Sequence, residues 1–195
     1  TAGYSVGSVW VDTSGKNAYM LVDATPSKAE WKNLTKISYA VGDRGPAGGI
    51  VISTSDNGFH GLEAAPADLT TLYTWNGACG DSNITGADAT DDGEQNTSDI
   101  ISECGGLGTA AEAAVDYYDS DDYTLKDYDD WFLPSVQELE LMYQLKEDLG
   151  VSTSTYYWSS TELDDTEAWV VTFISGGSIT ASKGASFRVR PIRSF

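Results

Sequence analysis

The segment YYWSSTELDDTEAW, residues 156–169, combines aromatic, hydroxyl and carboxylate side chains of the kinds that bind or hydrolyse sugars. Glycoside hydrolysis uses a pair of carboxylates that flank the scissile bond. Acidic residues occur throughout this chain, however, so no single pair stands out. The segment could instead be a strand of the core or a surface that contacts a ligand.

Nucleophilic catalysis has little support in this sequence. His60 is the only histidine, and no Gly-x-Ser-x-Gly turn is present to expose a serine nucleophile. His60, in NGFHGLEAAP, could act as a general base or lie in a structural turn. We therefore predict that the protein is not an enzyme, and a carbohydrate-active hydrolase with paired carboxylates is the alternative.

Two acidic stretches, GDSNITGADATDDGE and DYYDSDDYTLKDYDD, are rich in the oxygen ligands that calcium prefers. Neither has the EF-hand spacing, which requires Gly at the sixth position and Glu at the twelfth. We expect solvated acidic loops, with Ca²⁺ binding as the alternative. The candidate calcium ligands are Asp91, Asp92, Asp119, Asp121 and Asp122.

The formal net charge is −19, and no Lys or Arg occurs between Arg44 and Lys126. Such a negative field repels phosphate backbones and anionic lipid head groups, so we predict no nucleic-acid partner. No apolar run approaches the ~18 residues of a membrane span, which predicts no membrane insertion. The chain begins at Thr1 with no Met and no signal peptide, which predicts a fragment or a processed product.

The two cysteines, Cys79 and Cys104, lie in Gly-rich, loop-like sequence and complete neither a Cys-x-x-Cys motif nor a zinc site. A disulfide between them would close a loop of about 25 residues and add ~3 kcal/mol of stability. It would also favour an oxidising compartment. Two buried free thiols are the alternative.

The elements that position these residues can be read from apolar spacing. Residues 4–35 alternate apolar and polar positions on both sides of SGKN, which predicts a β-hairpin module over 1–36. Trp31 is its expected anchor. Residues 62–102 are expected to be rich in loops.

Residues 37–195 predict an α+β domain with two helices and a C-terminal antiparallel sheet. Capping-box spacing, Thr109 with Glu112 and Ser135 with Glu138, predicts helices that end near Tyr117 and at Gly150. Strands are predicted by short apolar runs at 49–54, 156–160, 168–174 and 187–191.

A series of motifs in residues 37–195 resembles one known family. They are VGDRGPAGGIVIS, FHGLEAAPADL, QNTSDII, DWFLPSVQELELMY, YYWSSTE, AWVVTF and FRVRPIRSF, in that order. The chain is similar to the DUF1566 family, the domain at the C-terminus of the Legionella collagen-like adhesin. The resemblance implies a C-type lectin-like fold, related to the variable proteins of diversity-generating retroelements. The N-terminal hairpin more weakly resembles modules of phage tail fibres.

This resemblance implies a scaffold and a ligand surface built from the last strands and their loops. The scaffold positions are Trp131, Trp158, Glu162, Trp169, Arg188 and Arg190. The residues around these motifs are the expected ligand contacts, with ordinary solvent-facing loops as the alternative. They are Leu163, Asp164, Asp165, Thr166, Glu167, Thr172, Ile174, Ser175, Ser178, Thr180, Ser182 and Lys183.

The C-terminal arginines have two interpretations. Arg188 and Arg190 alternate along one predicted strand, and with Arg193 they could bind an anionic ligand such as a sulfated glycan. The abundance of carboxylates favours pairing within the protein, because a buried arginine needs such partners.

We therefore predict a receptor- or ligand-binding adhesin domain, at the tip of a phage tail fibre or of a bacterial cell-surface fibre. Its expected partner is a host-surface glycan or protein. The tripeptides Glu-Pro-Asn and Gln-Pro-Asp, which hold the sugar-binding calcium in C-type lectins, are absent. The resemblance therefore does not extend to calcium-dependent sugar binding. A homotrimer through Val9, Val11 and Tyr19 is a secondary expectation, and a purely structural fibre module is a further alternative.

Overall fold

The computed structural model describes residues 8–12, 17–23, 30–33, 38–105, 108–117, 128–151 and 155–195. The chain forms two compact units, Thr1–Ser38 and Tyr39–Phe195. The division into domains after residue 36 stays a prediction.

The first unit contains a three-stranded antiparallel sheet in the order β1-β2-β3. Its strands are β1 (Val9–Asp12), β2 (Asn17–Asp23) and β3 (Glu30–Asn33). The pairing of β1 with β2 confirms the predicted hairpin, and β3 adds a strand that was not predicted. The side chains of Val9, Val11, Tyr19 and Trp31 lie outside the described part of the chain, so the trimer and the anchor stay predictions.

The described residues of the second unit form three small sheets whose named strands pair antiparallel. The four-stranded sheet has the order β4-β5-β12-β7, the three-stranded sheet β10-β9-β8, and the two-stranded sheet β11-β6. The strands are β4 (Ile50–Ser55), β5 (His60–Ala64), β6 (Tyr73–Thr74), β7 (Trp131–Phe132), β8 (Tyr156–Glu162), β9 (Glu167–Thr172), β10 (Ser178–Ser182), β11 (Ser186–Phe187) and β12 (Ile192–Ser194). The prediction of one strand over 187–191 is wrong, because β11 ends at Phe187, Arg188 forms an isolated bridge with Tyr157, and β12 of another sheet begins at Ile192.

The described residues of this unit form four helices: α1 (Gly93–Cys104), α2 (Ala110–Val115), α3 (Val136–Gln144) and α4 (Lys146–Leu149). The capping box of Ser135 and Glu138 begins α3, as predicted. Thr109 caps α2, which ends at Val115 rather than at Tyr117. The expectation of loops through residue 102 is wrong for α1, where the Asp92 side chain accepts the Gln95 N–H at 3.0 Å and starts a helix.

The three-stranded sheet separates two cores, because neighbouring residues of a strand point to opposite faces. Trp158, Ala168 and Val170 lie in the core that contains Trp75, α1 and α2. Tyr157, Val171 and Phe173 lie in the core formed with α3 and the four-stranded sheet. Both faces of β8 are thus buried, while the β8–β9 turn and the edge strand β10 present side chains to solvent.

Candidate functional site

A buried ion pair lies beneath one end of the three-stranded sheet. Glu162 is the last residue of β8 and Lys183 follows β10, and their side chains are 2% and 0% exposed. The Lys183 ammonium pairs with the Glu162 carboxylate, donates to the Ser82 carbonyl at 2.7 Å, and lies 4.7 Å from the centre of the Trp75 ring. The expectation that Lys183 contacts a ligand is therefore wrong, since its charged group is enclosed by these three partners.

The same pair fixes a loop that the sequence did not mark as part of the site. The Glu162 carboxylate accepts the Ile84 N–H at 2.9 Å and the Asn83 side-chain amide at 2.9 Å. The Glu162 N–H donates to the Ala87 carbonyl at 2.7 Å. Burial raises the pKa of the Glu162 carboxyl, while Lys183 and the Ile84 N–H oppose that increase. Residues 82–87 are thus attached to the end of β8 through both the carboxylate and the backbone N–H of Glu162.

The disulfide holds the start of this loop against α1. Cys79 and Cys104 are bonded, which confirms that prediction, although Cys104 ends a helix instead of lying in a loop. The Thr85 N–H donates to Glu103 of the same helix at 2.9 Å. The loop therefore has a covalent anchor at one side and hydrogen bonds along its length.

The β8–β9 loop is a tight turn organised by Asp164. One oxygen of its carboxylate accepts the Thr166 N–H at 2.8 Å, the Thr166 hydroxyl at 2.9 Å and the Glu167 N–H at 2.8 Å. These hydrogen bonds lower the pKa of the Asp164 carboxyl. Leu163 is 46% exposed, and Asp165 and Thr166 are also exposed. The turn is held in one shape while it presents both an apolar and polar side chains.

A third loop completes this end of the sheet. The Lys183 N–H donates to the Thr166 carbonyl at 2.9 Å, and the Ala185 N–H donates to the Ser182 carbonyl at 2.8 Å. Three loops therefore meet around the Glu162–Lys183 pair. We refer to residues 82–87, 163–167 and 182–184 as the three-loop surface.

The remaining predicted contacts lie away from that surface. Ser182 pairs with Glu167 at one end of β10 and Ser178 with Val171 at the other, which is about 14 Å at the rise of a β-strand. Thr180 is half-buried opposite Trp169 between the two ends. The distal end holds Thr172, Ile174, Ser175 and Ser178. The predicted contacts do not form one compact site.

Two of these distal residues have structural partners. Thr172 is buried and its hydroxyl accepts the Ile174 N–H at 3.3 Å. The Ser178 hydroxyl bonds to the Glu140 carboxylate of α3. Ile174, by contrast, is 60% exposed. The distal end is thus a contact between the sheet and α3, next to one exposed isoleucine.

The scaffold positions lie in or against the core. Trp131 and Trp158 are 2% and 0% exposed, and Trp169 is half-buried against the α3 side of the sheet. Arg190 donates to Asp68 at 3.0 Å and to the Ala65 and Leu149 carbonyls, while Arg188 lies 3.7 Å from Asp68. Both arginines therefore pair within the protein.

Arg193 forms a second internal cluster. Its guanidinium contacts Glu63 at 2.8 Å and Asp130 at 2.6 Å, and Glu63 is 0% exposed. Glu63 also accepts the Ala47 N–H at 3.0 Å, which fixes the glycine-rich turn before β4. A Cβ atom at Gly45 would collide with the Glu63 carboxylate, so this turn needs glycine there.

The candidate calcium ligands are only partly described. Asp119, Asp121 and Asp122 lie outside the described residues. Asp92 caps α1, and Asp91 beside it is exposed. Among the residues that the structure describes, no group of three or more His, Cys, Asp and Glu side chains could hold a metal ion. His60 is exposed at the start of β5, where it pairs with Ser55.

These features define a disulfide-bonded, mixed α/β module with several small antiparallel sheets. The chain belongs to the Lcl C-terminal domain family, whose model matches residues 65–193. None of the described helices is long and apolar enough to cross a membrane.

The chain has a distant likeness to a solved fimbrial protein structure, and no curated protein matches the chain. That structure is a fimbrial protein from Bacteroides ovatus ATCC 8483, with 17% sequence identity and a TM-score of 0.46. The match covers 71% of this chain and 36% of the fimbrial protein, so it spans about a third of that protein's length. A likeness of this degree says nothing about function.

Proposed function

We propose that this chain is an extracellular, adhesin-type binding module that holds its ligand on the three-loop surface. Membership of the Lcl C-terminal domain family and the disulfide between Cys79 and Cys104 support an adhesin in an oxidising setting. We place the module at the tip of a cell-surface or phage tail fibre. A C-type lectin-like fold, related to the adhesin domain that the motifs resemble, is part of the same proposal.

The observation that carries the proposal is the fixed geometry of the exposed loops. The buried Glu162–Lys183 pair joins the 82–87 loop to the β8–β9 turn, and Asp164 holds that turn closed. A surface already held in its binding shape loses little conformational entropy on association. Exposed loops on a rigid scaffold are also where binding residues concentrate in proteins.

The exposed groups favour a polar, uncharged or cationic ligand. Asn83, Thr85, Asp165 and Thr166 are exposed around Leu163. The only basic residue of the surface is Lys183, and its charge is already paired. A host glycan without sulfate groups, or a protein, fits this chemistry, and we propose binding without covalent chemistry.

The test is a glycan-array and whole-cell binding screen of the full chain and two matched variants. Leu163→Ser/Asp165→Ala changes the three-loop surface, and Ile174→Ser/Ser175→Ala makes a comparable change at the distal end. Loss of a central contact commonly costs tenfold or more in affinity, so the first variant should lose about that factor while the second stays within about twofold. Both should keep the melting temperature of the unchanged chain.

The reverse pattern would place the ligand at the distal end of the sheet. Equal, unchanged binding by both variants would overturn the site assignment. The screen is run with calcium and with EDTA, and loss of binding with EDTA alone would show that a calcium ion takes part. If a bound glycan is cleaved into products of smaller mass during incubation, the protein is a hydrolase and the proposal of binding without covalent chemistry is wrong.

A further inference from the structure

An open groove runs along the outer face of α3, apart from the three-loop surface. Gln137, Glu140, Leu141 and Gln144 line one wall, and their i, i+3, i+4, i+7 spacing places them on one helix face. Leu62, Asp91 and Glu138 complete the lining. Its volume is 490 Å³, within the range of sites that hold small ligands or single side chains.

Glu138, the capping-box residue of α3, lines the groove, and its carboxylate has no counter-charge among the described residues. Its side chain is 7% exposed, and one oxygen accepts the Ser135 N–H at 2.7 Å and the Gly93 N–H at 3.2 Å. Burial raises the pKa of the Glu138 carboxyl, the two N–H donors oppose the increase, and the charge of Asp92 adds to it. A buried anion in this setting is stabilised by a cation brought next to it.

The walls of the groove add negative charge and an apolar patch. Asp91 and Glu140 are exposed, and one oxygen of Glu140 accepts the Ser178 hydroxyl. Leu141 is 40% exposed. The described basic residues of this unit have partners elsewhere. They are Arg44 at the Gly48 carbonyl, Lys146 over the Tyr143 ring, Lys183 at Glu162, Arg188 and Arg190 at Asp68, and Arg193 at Glu63 and Asp130.

We propose that this groove binds a lysine or arginine side chain of a partner protein, with an adjacent apolar side chain of that partner packed on Leu141 and Leu62. Charge complementarity selects the cation, because the lining holds carboxylates and no basic group. A bare metal ion fits less well, since the described carboxylates here do not converge into a metal-binding group. The apolar lining favours a cation carried on a protein surface over a small free cation.

The experiment uses the full ¹⁵N-labelled chain and a capped peptide in which leucine and lysine alternate. Peptides with glutamine in place of lysine, or serine in place of leucine, are the comparators. We expect the leucine–lysine peptide to shift the amide signals of Gln137, Glu140 and Leu141, with an affinity about tenfold above either comparator.

Two matched variants separate the groove from general charge attraction. Asp91→Asn/Glu140→Gln removes two charges from the groove, and Glu147→Gln/Asp148→Asn removes two exposed charges from α4. The first should weaken peptide binding about tenfold and the second less than twofold. Equal weakening by both variants, shifts scattered over the acidic surface, or the same shifts from calcium chloride alone would overturn the proposal.

Discussion

Lys183 lies between the end of β10 and the loop that contains Ser82, and its ammonium contacts the Glu162 carboxylate, the Ser82 carbonyl and the face of Trp75. From the sequence alone this lysine was grouped with the ligand contacts, because it lies between the AWVVTF and FRVRPIRSF motifs without belonging to either. Its burial changes the expected effect of a substitution from lost binding to lost stability. A buried charge without its partner is far more costly than a neutral pair of the same shape.

Lys183→Met should therefore lower the free energy of unfolding by roughly 3–5 kcal/mol, the usual cost of breaking a buried pair. The double variant Glu162→Gln/Lys183→Met leaves no buried charge and should recover most of that loss. Urea unfolding of the three chains measures both effects. Lys146→Met, which removes a cation from the exposed side of the Tyr143 ring, is the control and should change little. If Lys183→Met is as stable as Lys146→Met, the buried pair does not have this role.

Asp164 contributes to stability in a pH-dependent way, because its pKa is lowered in the folded state, whereas that of Glu162 is raised. Three hydrogen bonds lower the folded-state pKa of Asp164 below its ordinary value of 3.8. Its contribution to stability is therefore complete above that value and is lost as the pH falls through the folded pKa. Asp164→Asn should show a smaller decline in the free energy of unfolding over this acidic range than the unchanged chain. Parallel stability curves for the two chains would contradict the assignment, and Asp165→Asn is the matched control.

At the scale of elements, local chemistry predicted some features and missed others. The spacing of Ser135 and Glu138 contains both hydrogen bonds of the capping box, so these two residues predict the start of α3, and the helix begins there. The start of α1 has an equally local cap, Asp92 to Gln95, but it lies in a stretch whose acidity suggested a loop. The edge strand β10 reads SITAS, which has too little apolar alternation to be recognised. The 82–87 loop joins the site through Glu162, 78 residues away, and no local pattern contains that contact.

The disulfide should stabilise the whole unit against unfolding and, in addition, hold the loop locally. Cys79→Ser/Cys104→Ser removes a link with a sequence separation of 25 residues. Loop entropy predicts a loss of roughly 3 kcal/mol in the free energy of unfolding. Hydrogen exchange should also speed up at the Ile84 and Thr85 amides more than at the amides of β9. Equal acceleration at these loop amides and at the amides of β9 would contradict the local support of the loop.

At the scale of the whole molecule, basic residues are few and several of them form ion pairs inside the protein. The chain has 11 Lys and Arg against 30 Asp and Glu. Lys183 and Arg193 pair with buried carboxylates, and the buried Arg190 pairs with the half-buried Asp68. These internal pairs neutralise some carboxylates inside, but they leave the surface with few cations. Negative charges on the surface therefore repel one another across the fold, and this repulsion opposes the compact state.

Salt should consequently stabilise this protein. Raising sodium chloride from about 10 mM to about 150 mM shortens the screening length from ~30 Å to ~8 Å, which weakens the surface repulsion and leaves the buried pairs almost unaffected. We expect the melting temperature to rise by roughly 3–6 °C, which corresponds to about 1–2 kcal/mol for a chain of this size. Choline chloride at the same ionic strength should have the same effect, because screening does not depend on the cation. A far larger rise with calcium chloride at matched ionic strength would point to bound calcium, and a constant or falling melting temperature would contradict the repulsion itself.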